Sequence, residues 1–195
     1  MTLAFQEDNH EYKLDGNIIP SVTQIIQGAG LINLDFIPKD LLEEKADLGK
    51  KVHKATELYD VDNLQIDDLH ETLRNYLDQW IKFRRDYNFT PELIEVEYFH
   101  PLYRFAGRID RVGEIGNKLS IIDIKTGTKQ KTHAIQTAGY KILYNYDRKK
   151  TEQAKQRMII YLSSDKYEVE INEVPTDENV FLAALTIYNY KRSTL

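Results

Sequence analysis

Two aspartates and a lysine near the middle of the chain are the residues best suited to do chemistry. Asp110 and Asp123 are thirteen positions apart. The intervening segment predicts two strands joined by a tight turn, because Gly116 and Asn117 both tolerate positive φ. A two-residue turn there places Asp110 directly opposite Asp123, with Cβ atoms about 5 Å apart. Two carboxylates so placed repel each other, and a bound cation removes the conflict.

Lys125 extends this pair into a candidate hydrolytic site. Side chains alternate along a strand, so Lys125 shares a face with Asp123. Two carboxylates and a lysine on one face suit metal-assisted attack on a phosphodiester. The same register places Arg108 opposite Lys125, where it either serves a phosphate or extends into solvent. The alternative is an exposed hairpin with solvated charges, but the apolar run around Asp123 favours a central strand, where an unpaired charge is costly.

Five short motifs occur in order between residues 49 and 140. They are Gly49-x-x-x-His53-x-x-x-Glu57, Glu97, Gly107-Arg-Ile-Asp110, Asp123-Ile-Lys125-Thr-Gly127 and Gln136-x-x-x-Tyr140. Together they resemble the motif series of the PD-(D/E)XK nuclease superfamily, specifically its RecB-like exonuclease branch. Ile109 stands where the proline that names the superfamily would be, and that proline is often missing in this branch.

The resemblance implies a metal site and a catalytic lysine. Asp110, Asp123, His53 and the backbone carbonyl of Ile124 would bind one or two Mg²⁺ or Mn²⁺ ions. Carboxylate oxygens suit both ions, and imidazole tolerates Mn²⁺ better than Mg²⁺. Lys125 would position the attacking water or stabilise the transition state.

The remaining motif residues have less specific roles. Glu97 would bind a second metal or a metal-bound water, and Glu95, on the same face, is a rival for that role. Glu57 would orient the motif histidine or pair with a lysine of the core. Gln136 and Tyr140, one helical turn apart, would contact substrate phosphate or brace the active-site strands.

Hydrophobic periodicity predicts a mixed sheet flanked by helices. We expect a hairpin over 3–14 with its turn near Asp8-Asn9, then a helix capped by Ser21. The further helices are expected over 38–59, 67–87, 132–146 and 177–190, and the strands over 94–99, 105–112, 119–125, 157–163 and 166–174. This predicts one α/β (α+β) domain over 1–195, with a hairpin and helices over 1–90 and the sheet core over 91–195. The resemblance implies that the core is restriction-endonuclease-like.

Charge is unevenly distributed along the chain. The net charge is −5, but residues 101–157 hold 13 Lys and Arg against 5 Asp and Glu. A basic surplus around the candidate site is expected where a DNA backbone approaches, although these side chains could also merely be solvated.

The absence of cysteine excludes disulfides, cysteine zinc sites and the four-cysteine iron–sulfur cluster of some RecB-like relatives. No signal peptide or membrane segment is visible in the sequence, which makes the cytoplasm the default location.

The resemblance implies a metal-dependent DNA exonuclease of phage or prophage type. Such an enzyme would act in recombination, repair or phage DNA processing, with a recombination or single-strand-binding protein as a candidate partner. Two alternatives stay open. One is an endonuclease of the same superfamily, and the other is a non-catalytic or partner-dependent DNA-binding module on the same fold.

Overall fold

The computed structural model describes residues 1–6, 11–33 and 37–193. Two sheets and five α-helices make up this part of the chain, with a short 3₁₀ helix over Ile66–Asp68. The strands are β1 Leu3–Gln6, β2 Glu11–Leu14, β3 Asn17–Ile19, β4 Leu93–His100, β5 Phe105–Ile115, β6 Lys118–Lys125, β7 Gln156–Leu162 and β8 Tyr167–Asn172. The helices are α1 Val22–Gly28, α2 Lys39–Asp60, α3 Glu71–Asp86, α4 Lys131–Asn145 and α5 Thr176–Ser193.

The larger sheet has five strands in the order β4-β5-β6-β7-β8. Strands β6 and β7 are parallel and joined through α4, while the other neighbours are antiparallel. A parallel pair needs such a crossover, whereas antiparallel neighbours are joined by tight turns. The predicted antiparallel meander, crossover helix and two further strands are therefore confirmed, and with them the predicted mixed α/β fold.

The β5–β6 hairpin has the predicted turn. Gly116 and Asn117 have φ angles of 56° and 61°, as a two-residue turn with two positive φ values requires. Pairing starts at Ile115 opposite Lys118 and continues in the predicted register. The regular pairs stop at Arg111 opposite Ile122, one step before the two aspartates would face each other.

Helices cover both faces of this sheet. One hydrophobic cluster joins α1, α4 and α5 to strands β5 and β6, and a second joins α2 and α3 to β6 and β7. Helix α3 places Leu77, Trp80 and Phe83 at helical spacing, and all three are fully buried. Strand β7 is buried along its whole length, as expected of a strand paired on both edges and covered on both faces.

The N-terminal segment forms a separate three-stranded antiparallel sheet. Strands β1 and β2 form the predicted hairpin, and its predicted turn near Asp8-Asn9 lies outside the described residues. The third strand, Asn17–Ile19, was not predicted, because three residues are too few for a visible alternation. Ser21 caps α1 as predicted, through reciprocal hydrogen bonds with Gln24. Among the described residues, no helix combines the length and apolar character needed to cross a membrane.

Candidate active site

Three side chains from three different elements meet at one end of the interrupted β5–β6 pairing. His53 of α2, Glu95 of β4 and Asp110 of β5 each offer a ligand atom, and these atoms lie within 4.8 Å of one another. His53 Nδ1 is 3.6 Å from Asp110 Oδ2 and 3.9 Å from Glu95 Oε1. An imidazole and two carboxylates spaced in this way can share one divalent cation. We call these three residues the ligand cluster.

Electrostatic interactions in the ligand cluster favour an added positive charge. Burial, aided by the nearby carboxylates of Asp123 and Glu95 and opposed by His53 and Lys125, raises the pKa of Asp110 to about 6. For His53, burial lowers the pKa, but the two carboxylates of the cluster outweigh this and raise it overall. Both shifts favour the protonated forms of Asp110 and His53, and a divalent cation can take the place of these protons.

The backbone at Glu95 is unusual for a strand. Its φ is +50°, a conformation that costs energy for a residue with a Cβ atom. The β4–β5 register pairs the residues on either side of Glu95 and Asp110 but not these two. The Glu95 carboxylate forms ion pairs with Arg108 at 3.0 Å and Arg111 at 2.8 Å. These contacts hold its side chain, which is 11% exposed, in the cluster.

Asp123 and Lys125 form the second half of the site. The Asp123 side chain is only 1% exposed, and Lys125 Nζ donates to its Oδ1 at 3.0 Å. Lys125 Nζ also lies 2.8 Å from Asp123 Oδ2. That contact lacks hydrogen-bond geometry, so Oδ2 accepts no hydrogen bond from the described residues. The ammonium of Lys125 balances the charge of Asp123, and the buried Oδ2, which accepts no hydrogen bond within the described part of the chain, keeps its lone pairs for a cation.

These residues fit a divalent cation. Oxygen ligands suit Mg²⁺ and Mn²⁺, and a histidine beside them shifts the preference towards Mn²⁺. Asp110 would bridge the two halves of the site, because its Oδ2 also accepts a 2.7 Å hydrogen bond from the backbone N–H of Ile124.

Three other predicted residues lie at the margin of the site or outside it. Glu97 is exposed and faces Arg108 across the β4–β5 ladder, outside the ligand cluster. The guanidinium of Arg108 contacts Glu95, although the predicted register placed it opposite Lys125. The carboxylate of Glu57 contacts Lys54 at 3.0 Å. The structure therefore places Glu95, the alternative to Glu97 as an acidic ligand, in the ligand cluster.

Gln136 and Tyr140 contact each other beside the aspartates. Gln136 Nε2 donates to the Tyr140 hydroxyl at 2.8 Å. The pKa of Tyr140 is raised by burial and by the charges of Asp123 and Asp110. A Cβ atom at Gly107 would lie 3.0 Å from the Tyr140 ring, so the glycine of the Gly-x-x-Asp motif makes room for this tyrosine.

The sequence motifs did not identify four further residues near the site. Burial, together with the charge of Lys125, lowers the pKa of His133 to about 4, and its Nδ1 lies 3.0 Å from the Tyr161 hydroxyl. Thr56, Asp60 and Arg111 form hydrogen bonds behind the ligand cluster. Thr56 and Asp60 could have been found from their helical spacing to His53, because that spacing places all three residues on one face of α2.

The basic surplus of residues 101–157 is only partly available to a ligand. Arg111 and Arg157 are buried in ion pairs. The exposed basic side chains of the segment include Lys129 and Lys131 near the start of α4, and Lys149, Lys150 and Lys155 after its end. Lys155 lies beside Leu119, at the end of β6 opposite to Lys125, so contact with a phosphate backbone at the site would depend on the lysines near the start of α4.

Comparison with known proteins identifies the family. No curated protein matches the chain. A solved structure described as the crystal structure of SSO0001 shares 20% identity, with a TM-score of 0.40 over 59% of this chain and 56% of that one. The chain thus spans little more than half the length of that protein. The family model of the PD-(D/E)XK nuclease superfamily matches residues 37–189, which include every residue of the site. The chain therefore belongs to the PD-(D/E)XK nuclease superfamily.

Proposed function

We propose that the protein is a metal-dependent DNA exonuclease that hydrolyses phosphodiester bonds with Mg²⁺ or Mn²⁺. The observation that carries this proposal is the ligand cluster of His53, Glu95 and Asp110, with the buried Asp123–Lys125 pair beside it. Membership of a nuclease superfamily supports metal-dependent cleavage of a nucleic acid. The assignment as an exonuclease rests on the resemblance of the five motifs to the RecB-like branch.

Each residue contributes a separate function to the proposed reaction. The ligand cluster and Asp123 hold the cation, which when bound supplies an activated water and neutralises charge on the scissile phosphate. Lys125 lies at the end of β6 with its side chain 20% exposed, so its ammonium can reach a phosphate oxygen or the attacking water. Gln136 is partly exposed and contacts Thr23 and Tyr140, so its amide would either donate to a substrate phosphate or brace the active-site strands.

The biological setting follows from the same resemblance. We place the enzyme in recombination, repair or phage DNA processing, with a recombination or single-strand-binding protein as its partner. The exposed lysines near the start of α4, Lys129 and Lys131, would contact the DNA backbone. Binding through them is expected to weaken steeply as salt concentration rises.

The proposal is tested by digesting DNA in parallel reactions with Mn²⁺, Mg²⁺ or EDTA. The substrates are end-labelled linear duplex, linear single strand and covalently closed circular duplex. An exonuclease degrades linear DNA in the presence of metal and leaves the closed circle intact, and the position of the released label gives its polarity. Cleavage of the closed circle would instead show an endonuclease. Binding without cleavage in either metal would favour a DNA-binding module or a partner-dependent subunit.

A further inference from the structure

A network of charged side chains shielded from solvent lies behind the ligand cluster. The side chains of Arg111 and Asp60 are both 0% exposed, and Arg111 Nε donates to Asp60 Oδ2 at 2.6 Å. The other oxygen of Asp60 accepts hydrogen bonds from Trp80 Nε1 at 3.0 Å and Arg84 Nη1 at 2.7 Å. Both oxygens of Asp60 are therefore occupied, and the carboxylate holds Arg111 in one orientation.

The opposite end of the Arg111 guanidinium reaches two residues of the ligand cluster. Its Nη1 donates to Glu95 Oε1 at 2.8 Å and to the backbone carbonyl of Asp110 at 2.6 Å. Glu95 Oε1 is also the oxygen that lies 3.9 Å from His53 Nδ1. Arg111 therefore fixes the Glu95 carboxylate oxygen that faces His53. The backbone of Glu95 itself is in a strained conformation.

Arg111 also connects strand β5 to the helix that carries His53. Its Nη2 donates to Thr56 Oγ1 at 3.1 Å, and the Thr56 hydroxyl donates to the backbone carbonyl of His53 at 2.9 Å. Thr56 and Asp60 lie about one and two turns after His53 on α2. Contacts at both positions set the distance between α2, which supplies the histidine, and β5, which supplies the aspartate.

We propose that Arg111 is a positioning residue that holds His53, Glu95 and Asp110 at the spacing a divalent cation requires. This inference rests on the proposed metal-dependent function. Arg111 bonds to Asp60, Thr56, Glu95 and the Asp110 carbonyl through one rigid guanidinium plane. A lysine has a single point charge on a flexible stem and cannot make these four bonds together. Partners that orient metal ligands in this way typically contribute 10- to 100-fold in metal affinity.

The test is the affinity of the purified, metal-free protein for Mn²⁺, measured by isothermal titration calorimetry. Arg111→Lys is expected to raise the Mn²⁺ dissociation constant by about tenfold or more while circular dichroism shows a folded protein. DNA cleavage by this variant should recover as the Mn²⁺ concentration is raised. Arg157→Lys is the matched control, because Arg157 is 3% exposed and pairs with Asp177 away from the cluster. It is expected to lower the melting temperature and leave the Mn²⁺ affinity unchanged.

Asp60→Asn provides a second variant if Arg111→Lys fails to fold. It keeps the shape of the side chain, removes the charge that orients Arg111, and should weaken Mn²⁺ binding in the same direction. A folded variant of either kind with wild-type Mn²⁺ affinity would overturn the positioning role and leave the proposed function standing. Wild-type protein that binds no Mn²⁺, or binds it equally well after Asp110→Asn, would overturn both.

Discussion

Asp110 Oδ2 accepts a 2.7 Å hydrogen bond from the backbone N–H of Ile124, just where the regular pairing between β5 and β6 has ended. A residue in an antiparallel strand directs its N–H and its carbonyl towards the same neighbour. We therefore expect the carbonyl of Ile124 to face β5 beside Asp110. One carboxylate thus ties the separating strands together, and the Ile124 carbonyl as a metal ligand stays a prediction of the motif resemblance.

The first prediction concerns the metal dependence of stability. In the wild type, Mn²⁺ at about 100 times its dissociation constant should add about 2.7 kcal/mol to the free energy of unfolding. Asp110→Asn should remove most of this stabilisation and of DNA cleavage, because an uncharged amide is a much poorer ligand than a carboxylate. Melting temperature with and without Mn²⁺ measures the effect. Asp78→Asn, an exposed change on α3, should keep the full stabilisation, and an equal Mn²⁺ shift in Asp110→Asn would contradict the assignment.

The second prediction concerns pH and the metal-free protein. The pKa of Asp110 is raised from 3.8 to about 6 by burial and neighbouring carboxylates. The folded state therefore binds this proton more tightly than the unfolded state. Tighter proton binding by Asp110 therefore stabilises the folded state fully below pH 3.8, and this stabilisation is lost as pH rises through 6. The loss amounts to about 3 kcal/mol of unfolding free energy. The raised pKa of His53 acts in the same direction.

Urea denaturation in EDTA between pH 4 and 7, with wild type and Asp110→Asn compared, measures this contribution. Over this pH range the difference in unfolding free energy between the two proteins should shift by about 2.4 kcal/mol in favour of the variant as pH rises. The comparison is needed because Glu95 changes stability with pH in the opposite direction. Burial raises the pKa of Glu95, but its contacts with His53 and Arg111 outweigh burial and lower the pKa overall. Parallel stability curves for the two proteins would show that Asp110 ionises in the folded state as it does in the unfolded state.

Much of the site follows from local sequence chemistry. The Gly116-Asn117 turn sets the register of the hairpin, and the apolar residues of β6 place it in the centre of the sheet. From these two facts alone, Asp123 is expected to be buried with Lys125 on its face. The structure bears this out, because each of these features depends on residues close together in the chain.

Other features depend on contacts that no local pattern encodes. Arg111 and Asp60 are 51 residues apart, and neither has a repeat or motif that pairs it with the other. Strand alternation puts Glu95 and Glu97 on one face, but the positive φ of Glu95 breaks the alternation. That conformation is maintained by tertiary ion pairs with two arginines, so it could not be predicted from the strand itself.

The third prediction separates metal binding from catalysis at Lys125. Lys125→Met keeps the length of the side chain and removes its charge. Cleavage should fall by about 100- to 1,000-fold, the usual effect of losing a group that stabilises charge in the transition state. The Mn²⁺ affinity should stay equal or increase, because the ammonium that contacts Asp123 no longer repels the cation.

Single-turnover cleavage at saturating Mn²⁺, together with calorimetric Mn²⁺ titration, measures the two effects of Lys125→Met separately. Lys118→Met is the control, since it makes the same charge change at an exposed lysine of the same strand that pairs with Glu173. Lys118→Met, the control variant, should leave the Mn²⁺ affinity and the single-turnover rate close to those of the wild type. Loss of Mn²⁺ binding in Lys125→Met would show that the lysine maintains the site structurally and does not act in catalysis.

The fourth prediction decides between the two acidic residues of β4. Glu95 lies in the ligand cluster, and Glu97 is exposed outside it. Glu95→Gln should weaken Mn²⁺ binding and reduce cleavage at low Mn²⁺ concentration, because an amide is a poorer ligand and also a weaker partner for Arg111. Glu97→Gln makes the same chemical change two residues away and should leave Mn²⁺ affinity unchanged. Calorimetric titration of both variants measures the difference, and the reverse result would assign the acidic ligand to Glu97.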